Sequence, residues 1–280
     1  MDRPVISFLT DFGPESAPAI CRGVMLGIAR DAQIIDISHS VRKYAIRDGA
    51  YLLWSAVPWL PVGVHVAVVD PGVGTERRAI GLRVARGDVL IGPDNGVLMP
   101  AAAVLGGVVD ARTLANRDLM LARTTFTFHG RDIFAPIAAR IATGTPFADV
   151  GPPIDIATLV ALDFPAPSRH DGGLETTVLF IDSFGNIRLA GVPMDLESAI
   201  GPLAAGRPLS VDFPAHDGHP GLREDMPWCR TFGERPAGAP LLYENSFGGL
   251  AIADNQGNAA ARLGIESGRP VRIRPARGIP

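Results

Sequence analysis

Four aspartates stand at the ends of apolar runs in this chain, where a site built on a sheet would need them. They are Asp11 in FLTDFG, Asp70 in VVDPGVG, Asp94 in IGPDNG and Asp182 in FIDSFGN. An aspartate beside glycine or proline often only forms a turn, and this is the favoured interpretation of Asp94. Three of the four fall in one predicted α/β domain, where ligands lie beyond the carboxyl ends of the strands. The group therefore favours a binding or catalytic site.

Two basic side chains are candidate partners of these acids. Arg77 follows Asp70 after a short Pro-Gly-Val-Gly loop, and His129 lies in TFTFHGRDIFAP, between a predicted Thr/Phe strand and a predicted helix. A histidine exchanges protons near neutral pH, an arginine stays charged, and functional groups concentrate at the boundaries of elements. A lone histidine is nevertheless more often structural than catalytic, so both interpretations of His129 stay open. Arg131 and Asp132 are expected to cap and pair at the helix start.

The common cofactor and nucleophile motifs are missing from the sequence. GVGT lacks the lysine of a phosphate loop, no GxGxxG follows the first strand, and there is no GxSxG elbow. His216, His219 and Cys229 are not spaced as zinc ligands. We therefore predict neither a metal nor a bound cofactor. The stretches IDSFGN and NSFGGLAIADNQGNAA are either tight turns or a polar rim that offers hydrogen bonds to a ligand.

Apolar periodicity predicts two domains of different architecture. Strands are predicted in VISFLTDFG, AQIIDISHSV and VHVAVVD, and helices in AICRGVMLGIARD, IRDGAYLLWSAVPWL and RDIFAPIAARIATG. Strands that alternate with helices indicate an α/β domain with a largely parallel sheet, which we place at residues 1–150. A linker rich in proline and glycine is predicted over residues 151–173. Short strands with turn signals then predict a smaller C-terminal β-barrel domain over residues 174–280.

Composition narrows the choice of partners and compartment. Of 280 residues, 47% are hydrophobic and 20% are charged, as in ordinary globular proteins. The formal net charge of −3 argues against nucleic acid or an anionic membrane as the main partner. The two cysteines, Cys21 and Cys229, do not suggest a disulfide scaffold. Because the start is not signal-like and no apolar run is long enough to cross a membrane, we expect a cytoplasmic protein.

Six motifs, taken in their order along the chain, resemble those of one family: TDFG, VAVVDPGVGTERR, GPDNG, FHGRDIFAP, DSFGN and NSFGGLAIADNQGNAA. From about Val5 to Leu263 the chain resembles the S-adenosyl-L-methionine (SAM) hydroxide adenosyltransferases, SAM hydrolases related to fluorinase and chlorinase. The resemblance implies an α/β domain followed by a β-barrel. It implies a homotrimer whose active site lies between the N-terminal domain of one subunit and the C-terminal domain of its neighbour. The implied reaction converts SAM and water to adenosine and L-methionine.

The same resemblance implies roles for individual residues. The catalytic triad of the family falls on Asp70, Arg77 and His129, and a slip of one residue would promote Arg78 in place of Arg77. Eight further positions are implied to contact the substrate, namely Asp11 at the ribose hydroxyls, Asn186 and Gln256 at the adenine, Asp182 and Ser246 at the methionine end, and Tyr44, Phe128 and Phe184 as the pocket walls.

One loop departs from the pattern of the family. Many members carry a second acid in TDFGxxDxY, whereas this chain reads TDFGPESAPAICRG, with Ser16 at that position and Glu15 beside it. The contact with the methionine amine is therefore the part of the site that the resemblance defines least.

The implied triad suits the implied chemistry. The sulfonium leaves as a neutral thioether without an acid, whereas bulk water, with a pKa of about 15.7, is a poor nucleophile. His129 can accept a proton, Arg77 can stabilise a developing hydroxide, and Asp70 can orient either of them. Three alternatives stay open: a non-catalytic protein that binds SAM or adenosine, a SAM-dependent halogenase, and an unrelated α/β hydrolase that uses Asp70 and His129.

Overall fold

The computed structural model describes residues 3–276, which form two compact units, one up to Asp163 and one from Phe164. Each unit has its own sheet and its own apolar core. No helix in the described part of the chain is both long and apolar enough to cross a membrane. The segment over residues 151–173, expected to be a linker, holds a 3-10 turn at Ile156–Thr158 and a short strand at Ser168–His170.

The first unit contains a six-stranded sheet and four α-helices. Its strands are β1 (Val5–Thr10), β2 (Gln33–Ser38), β3 (Val64–Val68), β4 (Ala79–Val84), β5 (Val89–Pro93) and β6 (Val108–Thr113). Its helices are α1 (Ser16–Ile28), α2 (Ile46–Ala56), α3 (Met99–Val104) and α4 (Ala135–Ala142). The sheet order is β2-β1-β3-β5-β4-β6, with parallel pairing from β2 to β5 and antiparallel pairing of β4 with both neighbours. This parallel-rich sheet confirms the predicted α/β domain.

The central strands bring the predicted acids to one edge of the sheet. β1 and β3 are almost entirely buried, and Ile6, Phe8 and Val66 lie in the core, as expected for strands that are covered on both faces. Helix α4 packs against both strands and against α1. Because β1 and β3 are parallel, the residues after their carboxyl ends, Asp11 and Asp70, emerge at the same edge.

A polar network lies inside this sheet, near the amino-terminal ends of its strands. Ser7 Oγ lies 2.8 Å from His65 Nδ1, and His65 Nε2 lies 2.9 Å from Asp88 Oδ1. Asp88 also accepts hydrogen bonds from the Arg86 side chain and from Gly63 N–H. The order Ser-His-Asp is that of a hydrolase triad, but these three residues are fully buried. The network is therefore structural.

The second unit is a closed barrel of seven strands. They are β8 (Gly173–Ile181), β9 (Ile187–Leu189), β10 (Pro208–Phe213), β11 (Leu222–Cys229), β12 (Pro240–Glu244), β13 (Leu250–Asp254) and β14 (Pro270–Pro275), after the short edge strand β7 (Ser168–His170). The order β14-β10-β11-β12-β13-β9-β8 closes because β14 also pairs with β8. Two helices, α5 (Pro193–Ile200) and α6 (Ala259–Leu263), complete the unit. The predicted C-terminal barrel is confirmed.

Candidate functional site

A single loop after β3 carries both Asp70 and Arg77. Val73 N–H donates to the Asp70 carbonyl, and the Thr75 N–H and hydroxyl both donate to the Gly72 carbonyl. These bonds fold the Pro-Gly-Val-Gly segment into consecutive turns. The loop therefore returns Arg77 to the side of Asp70 within seven residues.

The predicted triad residues form one cluster, in which His129 is partly buried. Arg77 Nε donates to Asp70 Oδ1 at 3.1 Å, and Arg77 Nη2 donates to Asp70 Oδ2. The same Nη2 lies 3.2 Å from His129 Nδ1. The Asp70 and Arg77 side chains are only 5% and 8% exposed, and the guanidinium lies 5.6 Å from the ring centre of Phe134. The structure thus brings together three residues that are widely separated in the sequence.

The contact between Arg77 and His129 has a defined direction. A guanidinium only donates hydrogen bonds, so Nδ1 of His129 must accept. The neutral imidazole then carries its proton on Nε2. The other terminal nitrogen of Arg77, Nη1, is buried and has no hydrogen-bond partner among residues 3–276. The cluster therefore holds two N–H donors, Arg77 Nη1 and His129 Nε2, for which the described residues supply no hydrogen-bond acceptor.

Burial shifts the pKa values of this cluster. The pKa of Asp70 is raised, because the loss of solvation outweighs the opposing effects of Arg77 and His129. The pKa of His129 is lowered, first by burial and then by the positive charge of Arg77. Both shifts favour the uncharged form of the group. His129 is consequently neutral at physiological pH, which is the form that can accept from Arg77.

Arg78 and Asp94, by contrast, serve the fold. Arg78 Nε donates to Asp94 Oδ2 at 2.7 Å, and its terminal nitrogens donate to the hydroxyl and the carbonyl of Thr158. Asp94 Oδ1 also accepts from Val160 N–H. Asp94 is therefore a structural acid, but its carboxylate binds Arg78 and Val160 N–H and does not close the local turn for which it was favoured. Of the two adjacent arginines, only Arg77 reaches His129.

The segment that carries His129 differs from its prediction. The Thr/Phe run before it forms a loop and not a strand, and the predicted helix starts with a π-helical turn, Gly130–Phe134. Pro136 has no N–H to donate to the Asp132 carbonyl, which instead accepts from Leu121 N–H at 3.0 Å. The Asp132 carboxylate pairs with Arg131, as predicted, but it accepts from Thr125 N–H in the preceding loop and does not cap the helix. Asp132 therefore fixes the loop that leads to His129.

One pocket of the first unit is lined by two residues of the cluster and by three predicted substrate residues. Asp70 and His129 line it together with Asp11, Tyr44 and Phe128. Asp11 Oδ2 accepts from Tyr44 N–H at 2.9 Å, and Tyr44 has a left-handed backbone with φ of 66°. This bond fixes the Asp11 carboxylate at the rim.

The remaining predicted residues share a pocket of the second unit. Asp182, Phe184, Asn186, Ser246 and Gln256 all line it. They come from three turns: the one between β8 and β9, the one between β12 and β13, and the one after β13. These turns are the polar, glycine-rich stretches of the sequence, so the turn interpretation is confirmed, and ligand binding by the same residues stays a prediction.

Asp182 is saturated by protein donors. Its Oδ1 accepts from Phe184 N–H and Asn186 N–H, and its Oδ2 accepts from Asn186 Nδ2 and from an Arg188 nitrogen, all at 2.9–3.0 Å. Two carboxylate oxygens offer about four acceptor positions. The geometry supports an orienting role for Asp182, and its direct contact with the methionine end stays a prediction.

Sequence reasoning missed several residues of the two pockets. Lys43 and Phe12 line the first, and Arg188, Phe232 and Tyr243 line the second. Two of them had a signal: Lys43 is the single lysine of the chain and precedes Tyr44, and Arg188 lies two residues after Asn186. No cluster of three or more potential metal ligands occurs in the described ranges, His216, His219 and Cys229 included.

The first unit is a parallel-rich α/β domain with an Asp-Arg-His cluster at the carboxyl edge of its sheet. The second is a β-barrel whose pocket is lined by polar and aromatic residues. Together they define a two-domain class of protein. The chain belongs to the SAM hydroxide adenosyltransferase family. The profile of the family's N-terminal domain matches residues 6–151, and that of its C-terminal domain matches residues 176–272. The predicted family membership is confirmed.

Individual relatives agree with this assignment. The chain is 44% identical over 271 residues to the (R)-S-adenosyl-L-methionine hydrolase of Salinispora arenicola, covering 96% of this chain and 97% of that protein. It is 28% identical over 298 residues to the fluorinase of Actinopolyspora mzabensis, covering 97% of each. The crystal structure of an uncharacterized conserved protein from Thermotoga maritima superposes with a TM-score of 0.85 at 32% identity, covering 96% of this chain and 99% of that one.

Proposed function

We propose that this chain is an enzyme that hydrolyses SAM to adenosine and L-methionine. The observation that carries the proposal is the cluster of Asp70, Arg77 and His129, in which Arg77 binds the two residues that line one pocket with Asp11. The names of relatives at 44% and 37% identity, SAM hydrolases, support it. The chemistry requires neither a metal nor a bound cofactor.

In this mechanism the cluster makes one water molecule more like hydroxide. Arg77 Nη1 and His129 Nε2–H donate to the oxygen, and pre-oriented donors of this kind stabilise negative charge in a buried site. Asp70 holds Arg77 by two hydrogen bonds and fixes its direction. The oxygen attacks C5′, the C5′–S bond breaks, and its electron pair returns to sulfur as a neutral thioether. One proton is released per turnover, because a cationic sulfonium and water become two neutral products.

Water is a better match than a halide for this site. Asp70 compensates the charge of Arg77, so the pair offers little net positive charge to offset the loss of solvation of an anion. Water is neutral when it enters and acquires charge only as it loses a proton. We therefore propose hydrolysis in preference to halogenation.

The substrate contacts follow the resemblance and the two pockets. Asp11 holds the ribose hydroxyls, and Asn186 and the Gln256 backbone hold the adenine. Ser246 and Asp182 are proposed at the methionine end, and Asp182 also orients Asn186. Aromatic walls are supplied by Tyr44, Phe128 and Phe184. The relatives' names specify the (R) configuration at sulfur, and we propose this epimer as a substrate; turnover of only the (S) epimer would contradict that choice.

We propose that the protein is a homotrimer whose active sites combine the first unit of one subunit with the second unit of its neighbour. Tyr44 and Phe184, which line different pockets, are 69% and 74% exposed in the single chain. Ligand sites normally bury most of a small molecule. A facing surface from another subunit would bury these exposed aromatic side chains together with the ligand. A cytoplasmic location is proposed with it and can be tested by cell fractionation.

The decisive experiment supplies SAM to the purified protein in ¹⁸O-labelled water, with and without excess chloride or fluoride. Mass spectrometry should find adenosine labelled at its 5′ oxygen in every sample, with one proton released per adenosine. A 5′-halo-5′-deoxyadenosine as the main product would instead identify a halogenase. Adenosine binding without any product would identify a binding protein. The His129→Ala variant should lose about 10²–10³-fold in turnover, the effect of removing one donor to a developing negative charge.

A further inference from the structure

Arg188 is a charged residue in the pocket of the second unit that the mechanism above does not use. It lies on β9, and Asn186 lies two residues earlier, at the end of the turn that precedes this strand. Both side chains line the pocket. Arg188 is only 13% exposed, so its position needs an explanation in terms of packing or of a ligand.

Asp182 holds Asn186 and Arg188 side by side. One carboxylate oxygen, Oδ2, accepts from Asn186 Nδ2 at 2.9 Å and from Arg188 Nη2 at 3.0 Å. A carboxylate can only accept, so the group that Asn186 turns toward Asp182 must be its NH₂. The carbonyl oxygen of the Asn186 amide is then left as an acceptor for another group.

Arg188 keeps a donor that no protein group satisfies. Its Nη1 is buried and has no hydrogen-bond partner in the part of the chain that the structure describes. The face of the guanidinium lies 5.9 Å from the ring centre of Phe247, which leaves the edge for hydrogen bonding. A buried unpaired donor is costly unless a ligand supplies the acceptor. Asn186 and Arg188, which line the same pocket, thus offer one acceptor and one donor to a ligand.

We propose that Arg188 recognises the purine base together with Asn186. The Asn186 carbonyl accepts from the exocyclic amine, and Arg188 donates to a ring nitrogen beside it. Adenine carries a donor amine next to acceptor nitrogens, which matches this arrangement, whereas a 6-oxo purine places an acceptor where Asn186 needs a donor. The aromatic rings of Phe184, Phe232 and Tyr243 line the same pocket and suit a planar base. This inference rests on the proposed function and adds a residue that selects the base.

Binding of free nucleosides tests the inference without the sulfonium or the carboxylate. Calorimetry on the full-length protein compares adenosine, inosine, and 1-deaza-, 3-deaza- and 7-deazaadenosine. Wild type should bind adenosine about 10- to 100-fold more tightly than inosine. It should show a similar preference over the one deaza analogue that lacks the ring nitrogen bound by Arg188. Arg188→Met should weaken adenosine binding by a similar factor and abolish the penalty of that analogue. Arg188→Lys, which keeps the charge and a single donor, should be intermediate.

The matched control is Arg169→Met, at an exposed arginine of β7, which should bind every nucleoside as wild type does. Unchanged adenosine affinity in Arg188→Met, or equal affinities of all three deaza analogues for wild type, would overturn the inference. So would a loss of L-methionine affinity alone, since Arg188 would then be a carboxylate ligand. The proposed function fails separately, if wild type neither hydrolyses SAM nor binds adenosine.

Discussion

At the scale of single residues, the central feature is one guanidinium that organises its neighbours. Arg77 donates to both oxygens of Asp70 and to Nδ1 of His129. The imidazole therefore cannot use Nδ1 to take a proton while this bond persists. Its Nε2–H and Arg77 Nη1 are better suited to stabilise a hydroxide than to remove a proton from water.

Lysine cannot replace Arg77 in this arrangement. Its single ammonium cannot bind Asp70 through two parallel bonds, reach His129 and keep a donor for the oxygen at once. We expect Arg77→Lys to lower kcat by about 100-fold, the magnitude seen when one donor to a developing charge is lost, with little change in the calorimetric Kd for adenosine. Arg78→Lys, at the arginine that binds Asp94, is the control and should keep most of kcat. Equal effects of the two substitutions would contradict the role of Arg77.

The protonation of His129 should set the acid limit of activity. Protonation places a second donor and a second positive charge opposite Arg77, so only the neutral imidazole supports the cluster. Its pKa is lowered by burial and by Arg77, so activity should persist below the ordinary histidine pKa of about 6.5 and fall as the pH drops through the shifted value. The measurement is kcat/KM against pH, with His170→Asn, at an exposed histidine, as the control. An acid limit at or above that ordinary value would refute this assignment.

At the scale of elements, the site depends on how a proline and a glycine shape one segment. Pro136 frees the Asp132 carbonyl for Leu121 and so fastens the loop before His129. Gly130, next to His129, lets the Phe12 ring approach closely, and Phe12 packs edge-on against Phe128 at 5.7 Å. The π-helical turn that follows is a form often found at functional sites.

A methyl group at Gly130 should therefore disturb the site. Its Cβ would lie 2.8 Å from Phe12 Cζ, so the ring or the turn must move. We expect Gly130→Ala to lower kcat by about 10-fold, because small displacements of reacting groups are costly. Gly27→Ala in α1, where a Cβ meets nothing within 4 Å, should match wild type in kcat. A Gly130→Ala variant with wild-type kcat would show that Phe12 can yield freely.

The buried network of the sheet should govern stability. Burial alone would raise the pKa of Asp88, but hydrogen bonds from His65, Arg86 and Gly63 N–H outweigh it and lower the pKa. Its stabilising effect is therefore present above the ordinary aspartate pKa of about 3.9 and is lost as the pH falls through the lowered value. We expect Asp88→Asn to reduce the free energy of unfolding of the first unit by ~3 kcal/mol at pH 7.

Urea unfolding at several pH values checks this expectation. The difference between wild type and Asp88→Asn should shrink as the solution becomes strongly acidic. The exposed Asp118→Asn is the control and should change stability by less than about 0.5 kcal/mol. A difference that is independent of pH would show that Asp88 acts by packing and not by its charge.

At the scale of the whole molecule, the predicted substrate contacts are divided between the two units. The cluster and Asp11 belong to the first, and Asn186 and Ser246 belong to the second. The proposed trimer joins these half-sites across subunits, which makes a specific prediction about mixed assemblies.

Two inactive variants should restore activity when their subunits are mixed. His129→Ala removes a group of the first unit, and Asn186→Ala removes one of the second. If each site combines two subunits, random mixing at equal amounts should restore about a quarter of wild-type activity. Light scattering should give a trimer mass for each sample, and the double variant mixed with itself is the control. No recovery after subunit exchange, or an active monomer, would reject the shared site.

Local patterns in the sequence determined the elements and much of the candidate site. Short continuous apolar runs between turn signals are typical of strands that are buried on both faces. This pattern predicted β1 and β3, and with them the position of the acids that follow. The motifs around Asp70, His129 and Asn186 indicated the family because each is a short continuous segment that can be recognised from the sequence.

Only the tertiary structure decided which groups meet. Arg77 and Arg78 are adjacent in the sequence, and the turns after Asp70 bring only the first to His129. The Thr/Phe run has the alternation of a strand but forms a loop. Thr125 N–H and, just before the run, Leu121 N–H donate to Asp132 and not to a neighbouring strand. The partners of Asp182 and the unpaired nitrogen of Arg188 likewise depend on distances between side chains. Such distances are set by packing between distant segments, which periodicity along the chain does not encode.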